Sequence, residues 1–285
     1  MQGYKYQEFW QDVDGMRIHA YRSGSEKANS VILLHGGGLD AVHLSWSPFI
    51  QPLGEHFQVI APDLPGHGQS GKPQVTYSLE FYVQFLHAFI KALDIKSASL
   101  VGISLGGALS ISFALQYPDA VQKLVPVDAY GIMNRYMLHR LSWFYVHSPL
   151  NERSYAIYKS RRMTEQVARA SGIFYRPERI SPELMHDLVE ASQIPDAGMA
   201  FRSFQRSEYG WKQVRSNLTS QLHHIQAPTL FIHGEKDMAV PLDAAKRAAT
   251  LVPGARLHIM QDCGHWANRE KPEEFLKVLS DFLSK

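Results

Sequence analysis

The chain has 285 residues, 45% of them hydrophobic and 20% charged, with a net charge of +2 and one cysteine. Such a length suits one large domain carrying an insertion, and the composition is that of an ordinary globular protein. The small net charge argues against nucleic acid or a membrane as partner, no apolar run is long enough to span a bilayer, and one cysteine excludes an intramolecular disulfide.

Residues 9–13 and 16–21 read as antiparallel strands joined at Asp14-Gly15, a hairpin turn signal. The polar and aromatic start through Trp10 has no signal-peptide core, so the expected location is cytoplasmic. An apolar strand at 31–34 runs into His35-Gly36-Gly37-Gly38. A short helix near 47–53 and a strand at 58–61 follow, leading to a loop at Asp63. Residues 78–93 place Leu79, Tyr82, Val83, Leu86, Phe89, Ile90 and Leu93 at helical spacing. The apolar run 98–101 then meets Gly102-Ile103-Ser104-Leu105-Gly106, followed by a small-residue helical pattern at 108–114 and a strand at 123–127. Strands alternating with helices predict an α/β class with a mostly parallel sheet covered on both faces.

From 131 to 221 that rhythm stops. The segment is rich in Arg, Tyr, Met and Ser and reads as helices at about 135–144, 152–161, 182–191 and 197–205, with no strand pattern. It is therefore expected to be an inserted helical cap, with residues 1–130 and 222–285 forming the core. A strand at 229–232 ends in a loop with Asp237. Another at 256–260 precedes Asp262-Cys263-Gly264-His265-Trp266, and an amphipathic helix at 272–282 closes the chain.

G-x-S-x-G between a strand and a helix describes a nucleophile elbow, in which flanking glycines let strand and helix approach closely and leave the serine hydroxyl exposed. Its partners come in the order Ser104, Asp237, His265, each past a predicted strand, at the edge of a parallel sheet where ligands bind. Asp128, at the end of strand 123–127, is a rival for the acid. The glycine run after His35 fits an oxyanion loop: Gly37 or Gly38 offers one N–H and Leu105, after the nucleophile, offers the other. His35 itself is read as bonding backbone within the loop. His265 takes the Ser104 proton as the hydroxyl attacks a carbonyl, and Asp237 orients the imidazole. This chemistry requires no cofactor and no metal.

With Asp63-Leu64-Pro65-Gly66-His67-Gly68-Gln69-Ser70 and Gln116-Tyr117-Pro118, these segments make nearly the whole chain resemble the α/β-hydrolase fold family. That resemblance implies an α/β-hydrolase core with a cap that excludes water and shapes the pocket. Within the family, the triple glycine and Cys263-Gly264-His265-Trp266-Ala267 are similar to the carbon–carbon bond hydrolases of aromatic ring-fission products. Those enzymes carry Asn before the nucleophile and a cap Arg that grips the substrate carboxylate. Here the corresponding positions are Ile103 and, aligned by eye, Leu188. An unpaired anion in an apolar pocket costs several kcal/mol, on the order of a lost buried polar partner. The expectation is therefore a carboxylesterase acting on small to medium uncharged esters, with the carbon–carbon hydrolase as the alternative. A receptor-like protein with slow hydrolysis is the reading from a different class. Ile103, Trp266 and Trp143 are the expected pocket residues. Nothing in the sequence decides oligomeric state, and a homodimer stays open.

Overall fold

In the computed structural model, residues 6–136, 138–155 and 160–285 are described. Eight strands form one sheet: β1 (Gln7–Val13), β2 (Met16–Ser23), β3 (Ser30–Leu34), β4 (Gln58–Pro62), β5 (Ala98–Ile103), β6 (Val121–Val127), β7 (Leu230–Gly234) and β8 (Arg256–Met260). Their order is β1-β2-β4-β3-β5-β6-β7-β8. β1 and β2 pair antiparallel with a tight turn at Asp14 and Gly15, β2 joins β4 antiparallel, and every later pairing is parallel. This is the α/β-hydrolase sheet that the resemblance implied.

The helices outside the segment between β6 and β7 are α1 (Val42–Ser45), α2 (Ser47–Gly54), α3 (Leu79–Ala92) and α4 (Leu105–Gln116), then α10 (Leu242–Leu251), α11 (Ala267–Glu270) and α12 (Pro272–Leu283) after it. Alternation along the central strands feeds two cores. Ile32, Leu34 and Leu100 face a layer holding Phe85, Phe89, Leu109 and Ala245 from α3, α4 and α10. Val31, Leu33 and Val101 face Phe49, Ile50, Phe275 and Leu279 from α2 and α12. Strands β3 and β5 are buried at every residue, as a sheet covered on both faces demands.

Between β6 and β7 lie α5 (His139–His147), α6 (Pro149–Tyr155), α7 (Arg161–Ala170), α8 (Pro182–Gln193) and α9 (Met199–Glu208). α8 starts where Ser181 caps it and Pro182 opens it, matching the expected start. α5 begins four residues later than expected, after Leu138 adopts a left-handed conformation (φ 55°). The expected helix at 152–161 divides differently. Its first part falls in α6, residues 156–159 lie outside the described residues, and α7 begins at its end, capped by Ser160. α7 has few apolar residues, so apolar periodicity did not reveal it. A third small core, with Phe174, Ile180, Leu184 and Leu188, joins this segment to Leu44 of α1.

Candidate active site

Ser104 sits at the β5–α4 turn with φ 52° and ψ −112°, outside the regions an L-residue prefers. Strain of about 1–3 kcal/mol persists only where surroundings over-determine it. Here Ser104 N–H donates to the Val127 carbonyl (2.9 Å), and its own carbonyl accepts from Ala108 (3.0 Å) and Tyr130 (3.0 Å). The glycines of the motif are steric requirements. A Cβ on Gly102 would collide with the Gly106 carbonyl, and one on Gly106 would collide with the Leu34 carbonyl.

The three expected catalytic residues come together. His265 Nε2 lies 3.0 Å from Ser104 Oγ, and His265 Nδ1 lies 2.8 Å from Asp237 Oδ2. Asp237 is further held by the N–H groups of Ala239 (2.7 Å) and Val240 (2.9 Å) on its other oxygen. Burial alone would depress the His265 imidazolium, but the neighbouring carboxylates, Asp237 first, outweigh it and raise the pKa to about 9. Asp237 moves oppositely. Burial disfavours its charge, yet the His265 contact holds its carboxyl below the usual value.

Asp128, the rival acid, does not take His265 Nδ1. Its carboxylate accepts from Gly234 N–H (2.8 Å) and Ala267 N–H (3.2 Å), tying the end of β7 to the start of α11. Burial, then the Asp237 charge, pushes the Asp128 carboxyl well up. Asp128, His233 and Asp237 bring ligand-type atoms within 4.8 Å of one another. Protein groups already engage them: His233 Nε2–H donates to the Val240 carbonyl (2.9 Å), and both carboxylates hold backbone N–H groups. The cluster is support for the base rather than a vacant ligand set.

The glycine loop is built to aim one N–H. His35 Nδ1–H donates to the Gly36 carbonyl (2.8 Å), while His35 Nε2 accepts from Leu64 N–H (2.9 Å), which fixes a neutral tautomer. A trans peptide points its C=O and N–H in opposite directions, so this bond turns the Gly37 N–H away from His35. Asp40 secures the other side, accepting from Gly36 N–H (2.6 Å), Ala41 N–H (2.8 Å) and Ser45 Oγ (2.6 Å). Leu105 N–H is the first of α4, where a helix leaves its N–H groups unbonded. Gly37, Gly38 and Leu105 all line the same cavity as Ser104 and His265. At Gly37 a Cβ would strike the Phe201 ring, so α9 packs directly over this loop.

That cavity measures about 390 Å³. Ile103 and Trp266 line it as expected, and Trp266 also donates from Nε1 to Ser45 Oγ (3.0 Å). Trp143 does not line it, which corrects the sequence reading. It stacks on His147 (ring centroids 4.4 Å) and meets Trp211 edge-on, because the α5 face that carries it is covered by the Trp211 loop. From this stretch Tyr136, just before α5, reaches the cavity instead. Tyr130, Tyr155, Tyr209 and Gln205 add neutral polar groups that sequence reasoning missed, since isolated tyrosines in a helical insertion carry no spacing signal. Leu188 is a wall residue, and no Lys or Arg is among the described lining residues.

Glu270 was also missed. Its fully buried carboxylate accepts from Gly264 N–H (2.8 Å), Tyr175 N–H (3.0 Å), Arg176 N–H (2.8 Å) and Arg179 Nη1 (3.3 Å). Arg179 and Arg176 also pair with Asp262. His265 N–H donates to the Ile173 carbonyl (2.8 Å). Glu270 thus clasps segment 173–179 to the loop that carries the base. Cys263, beside the base, is buried with its thiol pushed up by that burial, so it is packing and not a nucleophile.

A family model described as alpha/beta hydrolase fold matches residues 29–272. The chain is 30% identical over 259 residues to the 2-hydroxy-6-oxo-2,4-heptadienoate hydrolase of Pseudomonas putida, covering 90% of this chain and 89% of that enzyme. It is 26% identical over 274 residues to a 2-hydroxymuconate semialdehyde hydrolase of Pseudomonas, covering 95% and 91%. Among solved structures, a meta-cleavage product hydrolase of Pseudomonas fluorescens superposes with a TM-score of 0.80 at 26% identity, covering 97% of each chain. These findings overturn the carboxylesterase expectation. The physical reason is that a serine, its base and an oxyanion loop add to a ketone as readily as to an ester. The triad therefore never distinguished the two, and two apolar positions were too little to decide between them.

Proposed function

The chain belongs to the alpha/beta hydrolase fold family and is a hydrolase, and from that premise we propose that it cleaves the carbon–carbon bond of a meta-cleavage product, a 2-hydroxy-6-oxo-dienoate. The observation that carries this reading is the placement of Ser104 Oγ, 3.0 Å from His265 Nε2 on the floor of a capped cavity, in a chain whose relatives bear that activity in their names.

The order of steps follows from elementary chemistry. In the dienol form, breaking the C5–C6 bond would leave a carbanion at C5 with no acceptor. Moving the enol proton to C5 creates a C2 ketone conjugated through C3=C4, which can receive that electron pair. Ketonisation therefore precedes cleavage. Ser104 Oγ then adds to the C6 carbonyl as its proton passes to His265 Nε2, and Asp237 stabilises the imidazolium. The N–H groups of Leu105 and Gly37 receive the oxyanion, each worth about 3 kcal/mol of barrier. Collapse breaks C5–C6 and releases the 2-hydroxydienoate, with the proton returned by His265. Water, deprotonated by His265, hydrolyses the remaining ester to a carboxylic acid. Exclusion of bulk water by the cap protects the carbanion from premature protonation elsewhere. With no cation among the described lining residues, the neutral groups of Tyr130, Tyr136, Tyr209 and Gln205 are the candidates to receive the substrate carboxylate.

The test mixes purified protein with 2-hydroxy-6-oxohepta-2,4-dienoate and follows the dienolate absorbance. Decay that Ser104→Ala abolishes supports the reading. A folded protein that leaves the dienoate intact while turning over p-nitrophenyl esters sinks it.

A further inference from the structure

Half of the exposed large hydrophobic side chains of the described residues crowd into one arc of the cap: Leu138, Leu141, Phe144, Tyr145, Leu150 and Trp211. Leu138 is 66% exposed, Leu141 63% and Phe144 57%. Positions 138, 141 and 144/145 share one side of α5, while His139 and Val146 are buried on the other. A contiguous exposed apolar face of this kind marks an interaction site, unlike isolated surface leucines. Leu138 reaches this position through a left-handed backbone (φ 55°), which a leucine adopts only at a cost.

The charged residues that line the groove beside α5 are, among the described residues, all cationic. Beside the apolar side chains, a surface groove of about 410 Å³ is lined by Arg135, Arg140 and Lys212 and, among the described residues, by no carboxylate. Arg140 lies over the Trp211 ring (5.4 Å), and Arg135 Nε–H donates to the Lys212 carbonyl (2.9 Å), so two of the cations are held in place. A second copy docked here about a two-fold axis would set these cations against themselves. An anionic surface would meet them, with leucine and tryptophan entering the apolar layer behind the headgroups. Tyr136 lines both this groove and the catalytic cavity, so an occupant of the groove sits one side chain from the cavity. We propose that this face of the cap docks on an anionic lipid bilayer. The whole-chain charge of +2 masks the feature because it is local.

The test is co-sedimentation with phosphatidylcholine vesicles, with and without phosphatidylglycerol, at low and high salt. Wild type should bind the anionic vesicles, release at high salt and ignore pure phosphatidylcholine. R140Q/K212Q should weaken binding about thirty-fold, from two cations each contributing at a charged surface. L141E/F144E should weaken it at least as much, while Leu251→Glu, at an exposed leucine outside the arc, should change nothing. All variants should retain wild-type circular dichroism and basal turnover. Absence of binding to anionic vesicles, or equal binding by patch and control variants, overturns the proposal. A homodimer in sedimentation equilibrium that L141E/F144E dissociates also overturns it, in favour of a second copy on this face.

Discussion

On the core side of the cavity each reacting group is held by several buried hydrogen bonds. Ser104 has three through its backbone, Asp237 receives three, and the Gly36–Gly38 loop is braced by His35 and Asp40. On the opposite side the described wall residues include Val167, Phe174, Leu188, Phe201 and Phe204, with scattered tyrosine hydroxyls and, among the described residues, no cation. The difference separates chemistry from selection. A polar floor braced by hydrogen bonds suits the chemistry, and an apolar roof suits the selection of what enters. Glu270 is where the two meet, since it binds the base-bearing loop to cap segment 173–179.

The sharpest break of that contrast is at the floor. Ser104→Ala should lower kcat on the order of 10⁶-fold with the fold intact, because residues of a triad act as a unit. Stopped-flow turnover beside circular dichroism would check this. Asp237→Asn should cost about 10⁴-fold by leaving the imidazole in the wrong tautomer. If Asp237→Asn retained most activity, Asp128 would be the working acid and the floor would be less specialised than its geometry indicates.

The junction comes next. In Glu270→Gln an amide NH₂ must face N–H donors that now point at a carboxylate oxygen. A shift of about 1 Å in the His265 loop would lower kcat about 10²-fold with KM nearly unchanged. A purely structural role would instead lower the melting temperature and leave kcat per folded molecule as it was. The pH profile tests the same region more gently. His265 is raised from 6.5 to about 9, so below that pH the imidazolium cannot act as base, and kcat/KM should rise with pH up to about 9. The sign for stability is opposite. The ion pair with Asp237 stabilises the fold fully below 6.5, and that contribution is lost as pH climbs through about 9. A denaturant midpoint rising across this window would contradict the assignment.

The smallest expected effect lies at the roof. Leu188→Arg supplies a cation to the cavity wall and should lower KM for a dienoate about tenfold, the worth of one charge-assisted hydrogen bond. No change in KM would mean that the substrate carboxylate lies elsewhere, toward Tyr130 and Tyr209.

Much of the floor was legible in the sequence because its demands are local. A strand, a turn that only glycine permits beside Ser104, and a following helix leave their mark within ten residues, and β7 and β8 deliver Asp237 and His265 in fixed order. The roof was not. Trp143 and Tyr136 lie seven residues apart with the same aromatic character, yet only Tyr136 faces the cavity, because the start of α5 at His139 was set by a left-handed Leu138 that no pattern announced. α7 was overlooked because its side chains are mostly polar.

By itself the sequence determined the α/β-hydrolase core, the tight turn at Ser104 and the glycine loop, since each follows from backbone sterics within short segments. The tertiary structure decided which carboxylate reaches His265, which aromatic side chains form the cavity, how Glu270 joins cap to base, and where an apolar face is left uncovered. Those outcomes depend on distances between residues 28 to 221 positions apart in the chain, from His265 bonded to Asp237 to Trp266 bonded to Ser45, and no local pattern encodes them.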